Sequence, residues 1–311
     1  YRTWGDALRQ LQRPKEALDA YERALKLEPR DAFAEVGAGY ALLALKQPPE
    51  AIRRFQRAVR LEPSRVEPQA GLARALHAGK RTPESVPVYH KALSIAPKDD
   101  ALRLEAVQVA ASVERLREEA LELLAPLVTR PQSDSKHVLV QAAILSWMAP
   151  RRAEALIVLE RLLARESGLE PAWVLARQTA LWMPPALTLV PWLERLLVRT
   201  PRDPELLMHL ASSLAKAPER TDDAIRAFDA VLELSPDHGE ARIARAELVL
   251  AKEATPPATL AAEFVRGAQK VATDPGLQVR AGYGLRRLER PQEALPVFER
   301  ALAAELGEKV D

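Results

Sequence analysis

PKEALDAYERALKLEP, Pro14 to Pro29, returns as PPEAIRRFQRAVRLEP at Pro48 to Pro63 and, with more substitutions, as TPESVPVYHKALSIAP at Thr82 to Pro97. A constant spacing of 34 residues marks an array of stacked units rather than a single wrapped core. In the first copy Ala17, Leu18, Tyr21, Ala24 and Leu25 recur at helical spacing and share one face, which a lone helix has no means of burying. Proline opens the copy where a missing N–H costs nothing, and a second proline closes it where a helix continues with difficulty. Between one copy and the next lies another helical segment, DAFAEVGAGYALLALKQ (Asp31 to Gln47), whose Gly37, Ala38 and Gly39 admit a close neighbour. The repeating unit is a helical hairpin, with Ala51 and Ala58 expected at its tightest contacts.

These residues resemble the tetratricopeptide repeat, whose pattern runs large residue, Leu-Gly, aromatic or aliphatic residue, then Ala, aromatic, Ala and Pro. In the first repeat the pattern falls on Tyr1, Trp4, Gly5, Leu8, Ala17, Tyr21, Ala24 and Pro29. The second matches through Ala38, Gly39, Leu42, Ala51, Phe55, Ala58 and Pro63, and the third through Leu72, Leu76, Tyr89, Ala92 and Pro97, with Ala73 and Ser85 in the small positions. Further closing prolines are expected at Pro131, Pro171, Pro201, Pro236 and Pro275. Clear copies return at DDAIRAFDAVLELSP, with Ala224, Phe228 and Pro236, and at PQEALPVFERAL, with Ala294, Phe298 and Ala301 preceded by Gly282. The resemblance implies an all-α fold, a right-handed superhelical solenoid of about nine helical hairpins. Residues 1–311 are expected to form a single array, regular over 1–97, degenerate over 98–201 and more regular over 202–311.

Composition agrees with that expectation and removes several alternatives. Aromatics are 5% of the 311 residues, and no β-branched alternation suggests strands. A formal charge of +2, from 45 basic and 43 acidic residues, implies neither nucleic acid nor an anionic membrane surface. The absence of cysteine removes disulfides, thiolate catalysis and Cys-ligated zinc together, and the absence of asparagine removes any N-glycosylation sequon. Arginine supplies 34 of the 45 basic residues, a bias that suits a bacterium with a GC-rich genome. The most apolar run, VLARQTALWMPPALTLVPWL, contains Arg177 and Gln178 and is broken by Pro184 and Pro185, so no direct membrane insertion is expected. Tyr1 enters inside the first helix of a repeat, and Asp311 follows a second helix without a polar capping helix. The expectation is a fragment of a longer chain, with the compartment left open.

Candidates for chemistry are weak. His77, His90, His137, His209 and His238 fall in separate repeats, with no HExxH and no pair at i, i+4 to hold a metal. Asp134, Ser135 and His137 bring triad residue types into one turn, without the mutual geometry a nucleophile and base require. The pairs Glu118–Glu119 and Asp222–Asp223 stand at entries to second helices, where the helix dipole favours acids. No catalytic residue, metal site or cofactor is expected.

Function is then expected on the concave groove, which in the resembled family is lined by the first helices. Applied residue by residue, the family pattern points Arg2, Asp6 and Arg9 inward from the first repeat, Phe33, Tyr40 and Leu43 from the second, and Glu67, Arg74 and His77 from the third. The last repeat offers Arg280, Tyr283, Arg286 and Arg287 in equivalent places. Guanidinium forks beside aromatic rings suit an acidic or carboxylate-bearing peptide, while the same arginines, if solvated, serve only solubility. Some members of the family grip a terminal carboxylate with asparagines, which this chain lacks. Four of the five tryptophans, Trp147, Trp173, Trp182 and Trp192, cluster in the middle, either as core filler or as an anchor for a partner or for self-association. The leading expectation is a non-catalytic scaffold that binds partner protein segments. A structural module of a secretion or polysaccharide-export apparatus and the regulatory arm of an enzyme are the alternatives, and fold alone does not choose among them.

Overall fold

The computed structural model describes residues 1–130, 132–252 and 259–306, which contain eighteen α-helices and no strand. The chain divides into two compact units, 1–167 and 168–311. The first holds five hairpins: α1 (Arg2–Gln10) with α2 (Pro14–Leu27), α3 (Ala32–Ala44) with α4 (Pro48–Leu61), α5 (Val66–Ala78) with α6 (Thr82–Ile95), α7 (Asp100–Ala111) with α8 (Arg117–Val128), and α9 (Ser135–Trp147) with α10 (Arg152–Arg165). The second holds four: α11 (Glu170–Trp182) with α12 (Val190–Arg199), α13 (Pro204–Leu214) with α14 (Thr221–Leu234), α15 (Gly239–Lys252) with α16 (Leu260–Lys270), and α17 (Pro275–Arg287) with α18 (Pro291–Leu306). Within each unit successive helices pack on one another, and first helices such as α1, α3 and α5, or α15 and α17, also meet side by side.

The turn inside the regular hairpins explains their sharpness. Gln12, Lys46, Lys80 and Glu289 all have φ of 58° or 59°, the left-handed region that usually takes glycine. In the first hairpin the Arg13 N–H donates to the Leu8 carbonyl and the Gln12 N–H to the Arg9 carbonyl, the paired closure of a Schellman motif. The same two bonds recur around Lys46, Lys80 and Glu289. The residue that completes the turn then caps the second helix, and at Arg13, Arg81 and Arg290 it pairs with a glutamate three residues on. In α8, α10, α12 and α14 a short 3-10 turn precedes the second helix instead, and the first three of these fall in the stretch where the motif is weaker.

Packing between hairpins is set by rings against missing side chains. Tyr21 on α2 and Phe55 on α4 are fully buried. A methyl added to Gly5 would lie 2.8 Å from the Tyr21 ring and one on Gly37 2.3 Å from it. For Phe55 the corresponding distances are 2.7 Å from Gly39 and 2.2 Å from Gly71. Each ring therefore occupies space left by a first helix before it and a first helix after it. Ala51 and Ala58 are fully buried beside Phe55, as the repeat pattern requires.

Two of the expected closing prolines have the opposite role. Pro171 and Pro275 lie in the first turns of α11 and α17, where proline's fixed φ and absent N–H suit a helix start. The second helices before them, α10 and α16, are capped at their C-terminal ends by Glu166 and Val271 without proline. Pro201 and Pro236 do follow second helices. Pro131 and Asp311 lie outside the described residues. No helix among those described is long and apolar enough to cross a membrane.

Candidate functional site

The inner positions of the first repeats meet along α1, α3, α5 and α7. The Arg9 guanidinium lies 5.8 Å from the centroid of the Tyr40 ring, which stands edge-on to Phe55 at 5.1 Å. From α5, Arg74 reaches in two directions. Its Nε and Nη2 each donate to Glu105 of α7 at 2.7 Å, and its Nη1 donates to the Tyr40 hydroxyl at 2.8 Å. The Tyr89 hydroxyl completes the network by donating to Glu105 at 2.8 Å. Tyr40, Arg74 and Glu105 border a recess of about 320 Å3 that Glu67, Ala70 and Leu102 also line.

The network has a clear electrostatic order. Burial pushes the Glu105 carboxyl up, but the hydrogen bonds from Arg74 and Tyr89 outweigh it and hold the group below the usual carboxylate range. The bond to Glu105 raises the Arg74 guanidinium further despite desolvation. Burial raises Tyr40 and Tyr89, and Tyr21 is pushed up to about 12 by burial and by its hydrogen bond to Asp6. Arg74 is thus a fork whose carboxylate is supplied from within the chain.

The remaining inner residues separate into committed and uncommitted groups. Asp6 accepts the Tyr21 hydroxyl at 2.7 Å and so finishes a core residue. Leu43 is half-buried against the cluster around Phe55. The His77 Nδ1 lies 3.0 Å from the Thr82 hydroxyl. Phe33 is half-exposed, with Arg2 5.3 Å and Arg65 3.8 Å from its ring centroid; Arg2 pairs with Asp31 at 3.4 Å, and Arg65 pairs with Glu62 at 2.8 Å and with Glu67 at 3.2 Å. Arg9 has no carboxylate partner among the described residues. On α17, Arg280 is held by both oxygens of Glu247. Tyr283 is exposed, packs edge-on to Phe298 at 5.5 Å and carries Arg286 5.5 Å from its ring centroid. Arg286 and Arg287 are exposed and make no ion pair among the described residues.

The tryptophans do not act as one group. Trp192 is buried, and Trp173 meets it edge-on at 6.4 Å, with Arg195 and Arg199 near the rings. Trp147 and Trp182 are 46% and 45% exposed, so a core role covers only part of the set. The triad-like stretch is a helix start: Asp134 caps α9 by accepting the Lys136 N–H at 2.8 Å, and Ser135 bonds to Glu166. The carboxylate pairs are engaged at helix entries: Glu118 pairs with Arg151, Asp222 with Lys252 and Asp223 with Arg220 and Arg226, and Glu119 lies 3.0 Å from the His90 Nε2. No group of three or more metal-ligating side chains occurs among the described residues.

Sequence reasoning missed a second recess, in the second unit. It measures about 420 Å3 and is formed by Glu205, Met208, His209 and Ser212 of α13 with Pro185, Ser235, His238 and Glu240. The His209 Nε2 is buried without a hydrogen-bond partner, and burial draws its imidazole below the usual histidine range. A signal existed: Glu205 stands four residues after Pro201 as Phe33 does after Pro29, and Ser212 stands where Tyr40 and Arg74 stand.

Models described as tetratricopeptide repeat match residues 1–31, 36–100 and 219–275, together about half of the chain. No curated protein matches the sequence. Among solved structures, the MamA protein aligns with a TM-score of 0.46 and 17% identity over 52% of this chain and 88% of that one. A crystal structure of a Podosopora anserina putative kinesin light chain with nearly identical TPR-like repeats gives 0.43 and 20% over 52% and 91%. Yeast Tom70 gives 0.41 and 12% over 99% and 76%. The matched segments contain the Tyr21 and Phe55 junctions, and helical hairpins fill both units. The chain belongs to the tetratricopeptide repeat family.

Proposed function

We propose that the chain is a non-catalytic scaffold that binds segments of partner proteins along the faces of its first helices. The observation that carries this reading is the continuous run of side chains from Arg9 over Tyr40 to Arg74 and Glu105, which links four successive first helices and whose last three members line an open recess. Aromatic faces beside guanidinium groups give a segment both apolar contact and directional bonds.

Within that reading, an acidic or carboxylate-bearing segment is the ligand of the N-terminal face. Arg9 is its principal contact, because Arg74 already holds Glu105 and displacing that carboxylate would cost a well-formed pair. Phe33 supplies the neighbouring apolar surface. Single exposed ion pairs contribute about 0–1 kcal/mol, so affinity depends on ring burial as well as charge and weakens with salt.

Site-specific photocrosslinking tests the proposal. A benzophenone amino acid replaces Phe33 on the first-helix face or Leu27, 71% exposed on α2, as a second-helix control. Capture of protein partners at Phe33, reduced by salt and by Arg9→Ala and absent at Leu27, is the expected result. Equal capture at both positions, or capture indifferent to salt and Arg9, would remove the reading.

A further inference from the structure

We propose that the recess on α13 and α15 receives an arginine side chain from a partner protein segment, an assignment that rests on the scaffold reading for the source of that side chain. This recess and the one beside Arg74 are built from corresponding positions. In the first unit Glu67 and Arg74 stand four and eleven residues after Pro63; in the second Glu205 and Ser212 stand four and eleven residues after Pro201. The first recess contains its own guanidinium, fixed between a carboxylate and a tyrosine hydroxyl. In the second the equivalent residue is serine, and no lysine or arginine lines the walls.

The charges left there are negative. Glu240 makes no ion pair among the described residues, and Arg280, the cation whose field reaches it, is held by Glu247. Glu205 shares Arg177 with Asp203, each at 2.7 Å. His209 contributes no positive charge near neutral pH, since burial disfavours its charged form. Two helices begin at this recess, and helix N-termini ordinarily attract anions. Both starts are already capped. Asp203 accepts from the Glu205 and Leu206 N–H groups, and the His238 Nδ1 accepts from the Ala241 N–H at 3.2 Å. An incoming guanidinium meets the Glu240 carboxylate and the hydroxyls of Ser212 and Ser235, while its methylene stem lies against Met208 and Pro185.

The test uses the full chain with 13C-labelled histidine imidazoles, each resonance assigned by single replacement. Acetyl-Ala-Gly-Arg-Gly-Ala-amide is titrated beside the same peptide with citrulline, which keeps the shape and removes the charge, or with glutamate. The expected result is a saturable shift at His209 and His238 with the arginine peptide, and binding about ten-fold weaker with citrulline. Glu240→Gln, at an exposed position, should weaken the arginine peptide about three-fold and leave the citrulline peptide unaffected. Equal binding of arginine and citrulline, or preference for glutamate, overturns the assignment. So does agmatine matching the peptide, which would make the ligand a small free guanidinium compound rather than a protein segment. Silent histidines alongside salt-sensitive crosslinking at Phe33 would reject this recess while the scaffold reading stands.

Discussion

Replacing Gly71 by alanine tests the packing logic of the whole array. On propensity alone the change is favourable, since alanine is preferred to glycine in a helix interior by about 1 kcal/mol. The added methyl, however, would sit 2.2 Å from one Phe55 ring carbon and 2.5 Å from the next, where carbon atoms ordinarily approach to about 3.5–4.0 Å. The ring has no easy retreat, because Gly39 also packs close against it and Phe55 is fully buried. Overpacking costs about 1–3 kcal/mol, and with a second first helix already against the ring the upper part of that range applies. The net expectation is a loss of about 1–2 kcal/mol, or roughly 2–6 °C in Tm for a unit of this size. Urea unfolding followed by far-ultraviolet circular dichroism reads the change as a lower midpoint at unchanged slope. Phe55→Leu in the Gly71→Ala background should recover part of the loss, giving a coupling of about 1 kcal/mol. Gly168→Ala, where nothing lies within 4 Å of the added methyl, serves as the control and should be near neutral. A Gly71→Ala protein as stable as the parent, or one that Phe55→Leu only weakens further, would refute the ring-and-glycine account.

Two further predictions concern the turns and the buried histidine. Lys46→Gly should stabilise the chain by about 0.5–1 kcal/mol, because a non-glycine residue in the left-handed region costs about 1–2 kcal/mol and glycine's unfolded-state entropy returns part of it; a lowered urea midpoint would contradict this. His209 has a folded pKa below its ordinary 6.5, so the unfolded chain binds more protons there. Its stabilising contribution is complete above about pH 6.5 and is lost as pH falls through the folded value, ahead of the loss expected from Glu105 below about 4.5. A pH series of urea midpoints on the parent and on His209→Phe should differ in slope just below pH 6.5, and parallel curves would show that the histidine titrates as it does unfolded.

The fold was legible because each hairpin repeats the same few steric demands. Gly5, Gly39, Tyr21 and Phe55 recur at fixed spacing, and Pro14 and Pro48 mark helix starts by backbone chemistry that context rarely overrides. Pro171 and Pro275 were misplaced for the same reason: proline suits the first turn of a first helix as well as the loop after a second helix, and spacing alone does not separate them. The candidate site was legible in position and illegible in pairing. The pattern put Tyr40 and Arg74 on one face, but nothing local to Arg74 announces that its carboxylate is Glu105, 31 residues away on the next first helix. The same limit hid the α13 recess, whose residues occupy inner positions but whose depth depends on Pro185 and Glu240 from flanking elements.

A buried ring that belongs to one hairpin and is closed by the glycine of the next makes the junction between hairpins self-renewing. If a stretch of 34 residues is duplicated in the regular region, wherever the ends of the duplicated stretch fall, each new ring again finds a glycine or alanine before it and another after it. Removal of the same length restores contact just as cleanly. An insertion of another length inside a helix, rather than in a turn, swings a ring toward a bulky residue or toward water. Such a chain can therefore change its number of binding faces in whole steps without redesigning its interior, and the reach of the molecule becomes a property that recombination can adjust while its stability per junction stays constant.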